Sequence, residues 1–287
     1  MASFSTTEAN ATIDEKWDRD IEEARYANGV FLNRIANKSA LVRESGDTIH
    51  VTVDQTWTVG DIGANGAFTP QVYTPDTVAI TINQNKQVAV EVEDIVKAQS
   101  FWDPNSTVPT TAGKAYAAHY DTVIAGQHAS FSGAPVGSLE NPTAFGKTAF
   151  ATSMLRLADL NVPKKDLSFF LPPIAFFGGL INEMQLTDAD KSGEQKNVLT
   201  TGFRMSLLGV PFYESTTIAT AGSTSQTRVG LLLHKSAMAI AFQRNNTIRR
   251  ADRTAGLVDS YVTLIKSLYG LNVIRANHGV RIYIAAS

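Results

Sequence analysis

Gly146-Lys147-Thr148 invites a test for nucleotide chemistry, because a Gly-Lys-Thr triplet closes the loops that cradle phosphates. The first glycine of such a loop belongs five residues before the second, and Asn141 stands there instead. The triplet also falls within helical periodicity rather than after a strand, so nucleotide binding is given little weight. The histidines offer no metal site. His119 and His128 lie on opposite sides of one expected helix and cannot share an ion. His119 and Asp121 stand at i, i+2, where helical side chains do not face each other. His50, His234 and His278 have no ligand-spaced neighbours. There is no Gly-x-Ser-x-Gly, no His-Glu-x-x-His and no Ser-x-x-Lys backed by partner motifs. With Cys 0, thiolate nucleophiles, thiolate metal sites and disulfides are excluded. The expectation is a protein with no catalytic residues, no cofactor and no metal.

Charge is distributed more informatively than chemistry. From Glu44 to Asn85 the charged side chains are all acidic: Glu44, Asp47, Asp54, Asp61 and Asp76. From Lys235 onward the chain is basic, with Arg249, Arg250 and Arg253 close together and Asp252 and Asp259 the only acids. Taken alone, an arginine run is a solvated or interface face before it is a nucleic-acid patch. An acidic segment and a basic one in the same chain point to complementary surfaces on neighbouring copies. The net charge of −2 carries none of the basic excess expected of a specific nucleic-acid binder.

The elements that position these residues follow from periodicity. Thr12 and Glu15 have capping-box spacing, and Ile13, Trp17, Ile21 and Ala24 form one helical stripe ending near Asn28-Gly29. No nearby segment is an evident partner for that stripe, so Trp17 is expected to dock on a neighbouring subunit. From Thr48 to Val59 apolar and polar residues alternate, with Ile49, Val51, Val53 and Trp57 on one face. Gly60 to Gly66 is turn chemistry, and Val78, Ile80, Ile82, Val88, Val90 and Val92 run back in the same style. This predicts a long two-stranded arm, which in isolation is only marginally stable and needs a surface to lie on. A helix of roughly five turns follows from Thr110 to about Ser130, with Ala112, Tyr116, His119, Val123 and Ile124 on its buried side.

Ser132–Pro142 reads as a linker, Thr143–Asp159 as a second helix stopped by Asn161-Val-Pro163, and Leu167–Leu171 as a buried strand. Pro172-Pro173 opens a helix to about Leu186, and Asp188–Asn197 is a polar loop. Strands are expected at Phe203–Leu208, Phe212–Ile218, Arg228–Leu233, Ala237–Phe242, Tyr261–Ser267, Leu271–Ile274 and Val280–Ile284. The class is α+β, with no internal repeat. Met1–Glu8 lacks a secretory pattern, and the most apolar stretch, Leu167–Ile181, is too short and too rich in Pro and Gly to span a bilayer. A soluble protein with no membrane partner is expected.

The second half resembles a known family. Leu155-Arg-Leu-Ala-Asp-Leu-Asn-Val-Pro163, then Leu167-Ser-Phe-Phe-Leu-Pro172 and Leu180, is similar to the axial-domain signature of the major capsid proteins of tailed double-stranded DNA bacteriophages. Leu208-Gly-Val-Pro-Phe-Tyr-Glu-Ser215 resembles that family's Gly-x-Pro-x-Tyr-x-Ser strand, and His234 to Gln243 its strand into the peripheral domain. Tyr269 to Arg275 with His278-Gly-Val280 resembles its closing strands. The match runs in order from about Asp47 to the C-terminus.

The resemblance implies a fold shared with herpesvirus capsid floors and encapsulin shells. Its parts would be an N-terminal arm (1–46), an extended loop with its return strand (47–95), a peripheral domain with the spine helix (96–141 and 241–270) and an axial domain (142–240 and 271–287). It further implies a virion protein that assembles in the host bacterial cytoplasm into pentamers and hexamers around packaged double-stranded DNA contacted non-specifically. A portal and, in some members, a decoration protein would be its partners. Inter-subunit contacts are expected at Trp17, Asp54, Trp57, Asp61 and Asp76, with Arg249, Arg250 and Arg253 receiving the arm. Two departures from the family stand out. No lysine occurs from Ala40 to Asn85, which closes the isopeptide route that some members use on this loop. About 46 residues precede the arm, too few for a cleavable scaffolding segment, so a separate scaffolding protein is expected. The rivals are an encapsulin-type compartment shell and an unrelated β-rich binding module or enzyme.

Overall fold

The computed structural model describes residues 17–25, 29–42, 46–53, 57–62, 66, 70–93, 104–139, 142, 145–180, 205–221, 227–253 and 260–285. The Thr12–Glu15 capping box, Asn28, Asp54, the end of the helix near Leu186 and the Asp188–Asn197 loop lie outside them. The described chain forms two sheets, a short ribbon and three helices.

A four-stranded sheet has the order β1-β10-β11-β4, built from Ala36–Asn37 (β1), Gln84–Glu93 (β4), Met238–Arg253 (β10) and Ser260–Val273 (β11). Helix α2, Pro104–Gly126, is tied to it: Tyr116 donates to the Ile265 carbonyl at 2.8 Å, and the Tyr120 and Ser267 hydroxyls bond at 2.7 Å. Tyr120, Tyr269, Phe242 and Ile240 fill the space between. Burial pushes the Tyr269 phenol up to about 12. The helix begins six residues before Thr110 and contains Pro109. Pro109 is the sixth helical residue, just past the first turn, so it forgoes one intrahelical bond and the helix runs on through it; a breaker residue does not mark the boundary here.

The second sheet runs β12-β9-β5-β7-β6, from Leu167–Leu171 (β5), Met205–Leu207 (β6), Val210–Glu214 (β7), Thr227–His234 (β9) and Gly279–Ala285 (β12), with Thr220–Ala221 (β8) also pairing β9. As its apolar sequence, interrupted only by Ser168, leads one to expect, β5 is buried along its whole length and sits in the middle. Phe169 and Phe212 stack at 4.7 Å across the parallel β5–β7 pair, under helix α3, Lys147–Asp159. Asn161, at φ 53, ends that helix: Val162 N–H returns to the Leu157 carbonyl and Asn161 N–H to Ala158. Leu208 and Gly209, both at positive φ, make the tight β6–β7 turn.

Long-range pairing corrects several expectations. The basic Arg244–Arg253 segment is not a separate element; it continues the strand from Met238, with register shifts between Phe242, Arg244 and Thr247. The two strands expected at 261–267 and 271–274 are one, β11. The residues 88–92 leave the arm and join the sheet beside β11, because ten consecutive residues find an antiparallel partner there. Within the described residues, Pro173 and Ile174 lead into a π-turn at Ala175–Leu180.

Trp17 is the sharpest correction. In the helix over residues 17–25 (α1), Trp17 is 1% exposed within this single chain, and Ile21 and Ala24 are buried beside it. The partner the periodicity did not reveal is α2: at Gly113 a Cβ would stand 2.6 Å from Ala24 Cβ and 2.7 Å from the Ile21 carbonyl. Absence of a side chain there lets the two helices touch. Arg25, fully buried, locks the helix further. It donates to Asn245 and Glu22 and lies 5.0 Å over the Phe242 ring. The irregular register around Arg244 brings Asn245 to it.

Candidate functional site

The acidic arm begins as the ladder Thr48–Val53 (β2) against Asp76–Thr81 (β3). Its root is supported by the chain's own body: Ile49, Ile80 and Ile82 pack with Ala239 and Ala241 of β10. At Gly270 of β11 a Cβ would lie 2.5 Å from the Thr81 carbonyl, so the glycine admits the root at close range. The ladder ends at Val53, short of the expected Val59. Among the described residues beyond it, side chains hold the two legs together. Gln71 accepts from Thr58 N–H at 3.2 Å and donates to the Thr58 carbonyl at 2.5 Å, and Trp57 stacks on Tyr73 with centroids 5.9 Å apart.

Among the described residues, this distal part finds no apolar support beyond its own two legs. Trp57 is 51% and Tyr73 53% exposed, and Val59, Ile62 and Val72 are more exposed still. Asp61 and Asp76 are exposed on the same arm. Five large apolar side chains exposed on one arm, two of them stacked on each other, are what a subunit contact presents before it is made. Sequence reasoning carried the alternation through Trp57 to Val59 but missed Ile62, Val72 and Tyr73, which lie outside it.

Arg249, Arg250 and Arg253 stand on β10 opposite Leu264, Thr263 and Ser260, with Arg249 exposed. They are not brought to the arm of their own chain, whose root packs at the other end of β10, near Ala239 and Ala241. Leu155 and Leu160 at helix α3, Ile174 and Phe177 at the π-turn, and Leu208 in the β6–β7 turn are also exposed.

The histidines settle into structural roles. His119 bonds the Tyr269 hydroxyl at 2.8 Å, while Asp121, two residues on, faces elsewhere and accepts from Val30 and Phe31 N–H. His234 and His278, distant in sequence, meet through Ser236. Burial holds the imidazoles of His119, His128, His234 and His278 below their ordinary value, with Lys86, Arg281 and Arg275 adding to it. The native state therefore binds fewer protons than the unfolded chain once pH falls below about 6.5. Stability present at neutral pH is expected to be lost as pH drops below the ordinary histidine value and through the lowered ones. Urea midpoints at pH values from about 7.5 to about 5 measure it, and a midpoint flat across that range would count against these burials. Among the described residues no group of three His, Asp or Glu is placed to hold a metal, and no helix is long and apolar enough to cross a membrane.

No family model matches the sequence, and no curated protein matches it. Solved structures do. A structure from Mycobacterium phage Che8 superposes with a TM-score of 0.68 at 22% identity, covering 88% of this chain and 90% of that one. The capsid of cyanophage P-SCSP1u gives 0.69 at 15% identity, covering 90% and 89%. A virus-like particle from Pyrococcus furiosus gives 0.55 at 12% identity, covering 93% and 98%. The chain has the α+β shell fold of tailed-phage capsids over nearly its whole length.

Proposed function

We propose that this chain is the major capsid protein of a tailed double-stranded DNA bacteriophage, a structural subunit and not an enzyme. The observation that carries this reading is the arm: its root is buried in its own body while its tip presents Trp57, Tyr73 and their apolar neighbours to solvent. A ribbon of that kind is stable only when the tip is covered, and identical copies offer a surface of opposite charge. The arm of one subunit lies across its neighbour's β10, with Asp61 and Asp76 near Arg249, Arg250 and Arg253. Pentamers and hexamers form in this way and close into an icosahedral shell. Each contact is weak, and many per subunit make closure cooperative.

The division into N-terminal arm, extended loop, peripheral domain and axial domain belongs to the same proposal. The exposed Phe177, Leu155 and Leu208 are assigned to contacts between axial domains. So do assembly in the host bacterial cytoplasm, a separate scaffolding protein, a portal, an optional decoration protein and non-specific contact with packaged DNA, which the net charge of −2 permits without clamping.

Negative-stain microscopy of the purified chain, expressed with and without a scaffolding protein, tests the reading. Closed particles with the scaffold are expected. Charge reversal of Arg249, Arg250 and Arg253 together is expected to lower particle yield at least about tenfold, more so at low salt. Unchanged yield and particle stability would remove the arginines from the interface. The Pyrococcus virus-like particle supports a second reading, an encapsulin-type compartment. Efficient closure without any scaffold, around a cargo enzyme, would favour it.

A further inference from the structure

The chain passes directly between its two sheets twice, from β9 to β10 and from β11 to β12. The two passages meet. Ile274 and Arg275 N–H both donate to the Ala237 carbonyl, at 2.9 and 3.1 Å. At the same point Ser236 Oγ lies 2.7 Å from His234 Nδ1 and 2.9 Å from His278 Nδ1, with the rings edge to face at 5.5 Å. Residues 235–237 belong to one passage and 274–278 to the other, so this is a side-chain bridge between them.

Its protons have one consistent arrangement. Ser236 N–H donates to His234 Nδ1 at 3.2 Å, so that nitrogen carries no proton. The Ser236 hydroxyl must then donate to His234 Nδ1, and its oxygen accepts from His278 Nδ1–H. This leaves His234 Nε2 to bond the Lys165 backbone. The bridge depends on His234 remaining neutral at Nδ1: a proton there ends two acceptor roles at once and sets a cation beside Ser236 N–H.

We propose that His234, Ser236 and His278 form a pH-sensitive latch that fixes the crossing of the two sheets at neutral pH and releases it in acid. Burial decides the direction for both rings, and the charged groups facing the bridge modify it. Arg275, on the second passage, opposes protonation of both rings, and the His234 imidazole opposes protonation of His278. Asp166, before β5, favours a charged His234, as does the Lys165 backbone, while burial outweighs both. Lys235, exposed beside the bridge, adds positive charge nearby. The latch is therefore closed at neutral pH and opens only below the ordinary histidine value. This holds whether or not the chain builds a shell.

Hydrogen exchange with mass spectrometry on the full chain tests it, following peptides across 235–237 and 274–278 at about pH 7.5 and about pH 5.5, corrected for intrinsic rates. Protection in both peptides is expected to fall about tenfold in acid, the equivalent of one lost hydrogen bond, while β5 remains protected. His234→Gln supplies an acceptor that cannot be protonated and should keep protection in acid. Ser236→Ala should lower it at both pH values. Wild-type protection that does not change, or an acid loss that persists in H234Q, overturns the proposal. The wild-type measurement needs no variant, so a poorly folded S236A leaves the test standing.

Discussion

With Trp57 and Tyr73 both replaced by alanine, the chain is expected to fold as before and to give no closed particles. Each ring is about half exposed, and the contact the structure gives each is the other ring across the arm. Truncating them removes nothing from the three buried clusters, so folding stability should stay within about 0.5 kcal/mol of the parent. In an interface the same rings are anchors, worth on the order of 2 kcal/mol each when they fill a pocket on the partner. The loss recurs in every subunit, so a modest deficit per contact becomes a failure of closure. Size-exclusion chromatography with negative-stain microscopy reads assembly, and urea denaturation of the unassembled chain reads folding. Trp57→Phe, which preserves an aromatic surface, should retain most of the yield. Normal particles from the double variant would show that the arm is not what joins subunits.

Asp121→Ala is expected to destabilise the fold strongly, by about 3 kcal/mol. Its carboxylate is 3% exposed and accepts from Val30 N–H at 2.8 Å and Phe31 N–H at 3.0 Å. These donors lead into the tight turn at Leu32–Arg34, and Phe31 stacks on Phe170 of β5 at 4.1 Å. Alanine leaves the donors without an acceptor in an apolar setting. Burial raises the Asp121 carboxyl above its ordinary value, against the backbone bonds that lower it. A raised carboxylate favours the native state most at low pH and costs stability as pH rises through the shifted value. Asp121→Asn retains one oxygen acceptor where Val30 N–H and Phe31 N–H use both carboxylate oxygens, and turns an amide NH2 toward the other donor, so it should recover at most about half of what alanine loses at neutral pH. Urea denaturation of the three proteins measures both differences. An asparagine variant as stable as the parent would mean that the turn does not depend on both carboxylate oxygens.

Local spacing determined a good deal of this protein. Alternation at Ile49, Val51 and Val53 makes a strand whatever surrounds it, and Ala112, Tyr116 and Ile124 share a helical face for the same reason. The run Leu167–Leu171, apolar but for Ser168, called for a strand buried on both sides, and Asn161-Val-Pro163 for a helix stop. The ordered signature from Leu155 to Val280 carried the family resemblance, and the shell fold agrees with it. These features depend on residues a few positions apart, so a sequence displays them directly.

Partnership across the fold was decided elsewhere. Trp17 looked unpartnered because nothing near it in the chain complements its stripe; the answer was the missing side chain at Gly113. Arg25 is buried only because an irregular strand delivers Asn245 and Phe242 to it. The arm looked unsupported because Ala239, Ala241 and Gly270, small residues with no periodic signal, are what receive its root. His234 and His278 lack neighbours in sequence and share a hydroxyl in space. In each case the deciding quantity is the fit between surfaces far apart along the chain, which periodicity does not encode and close packing does.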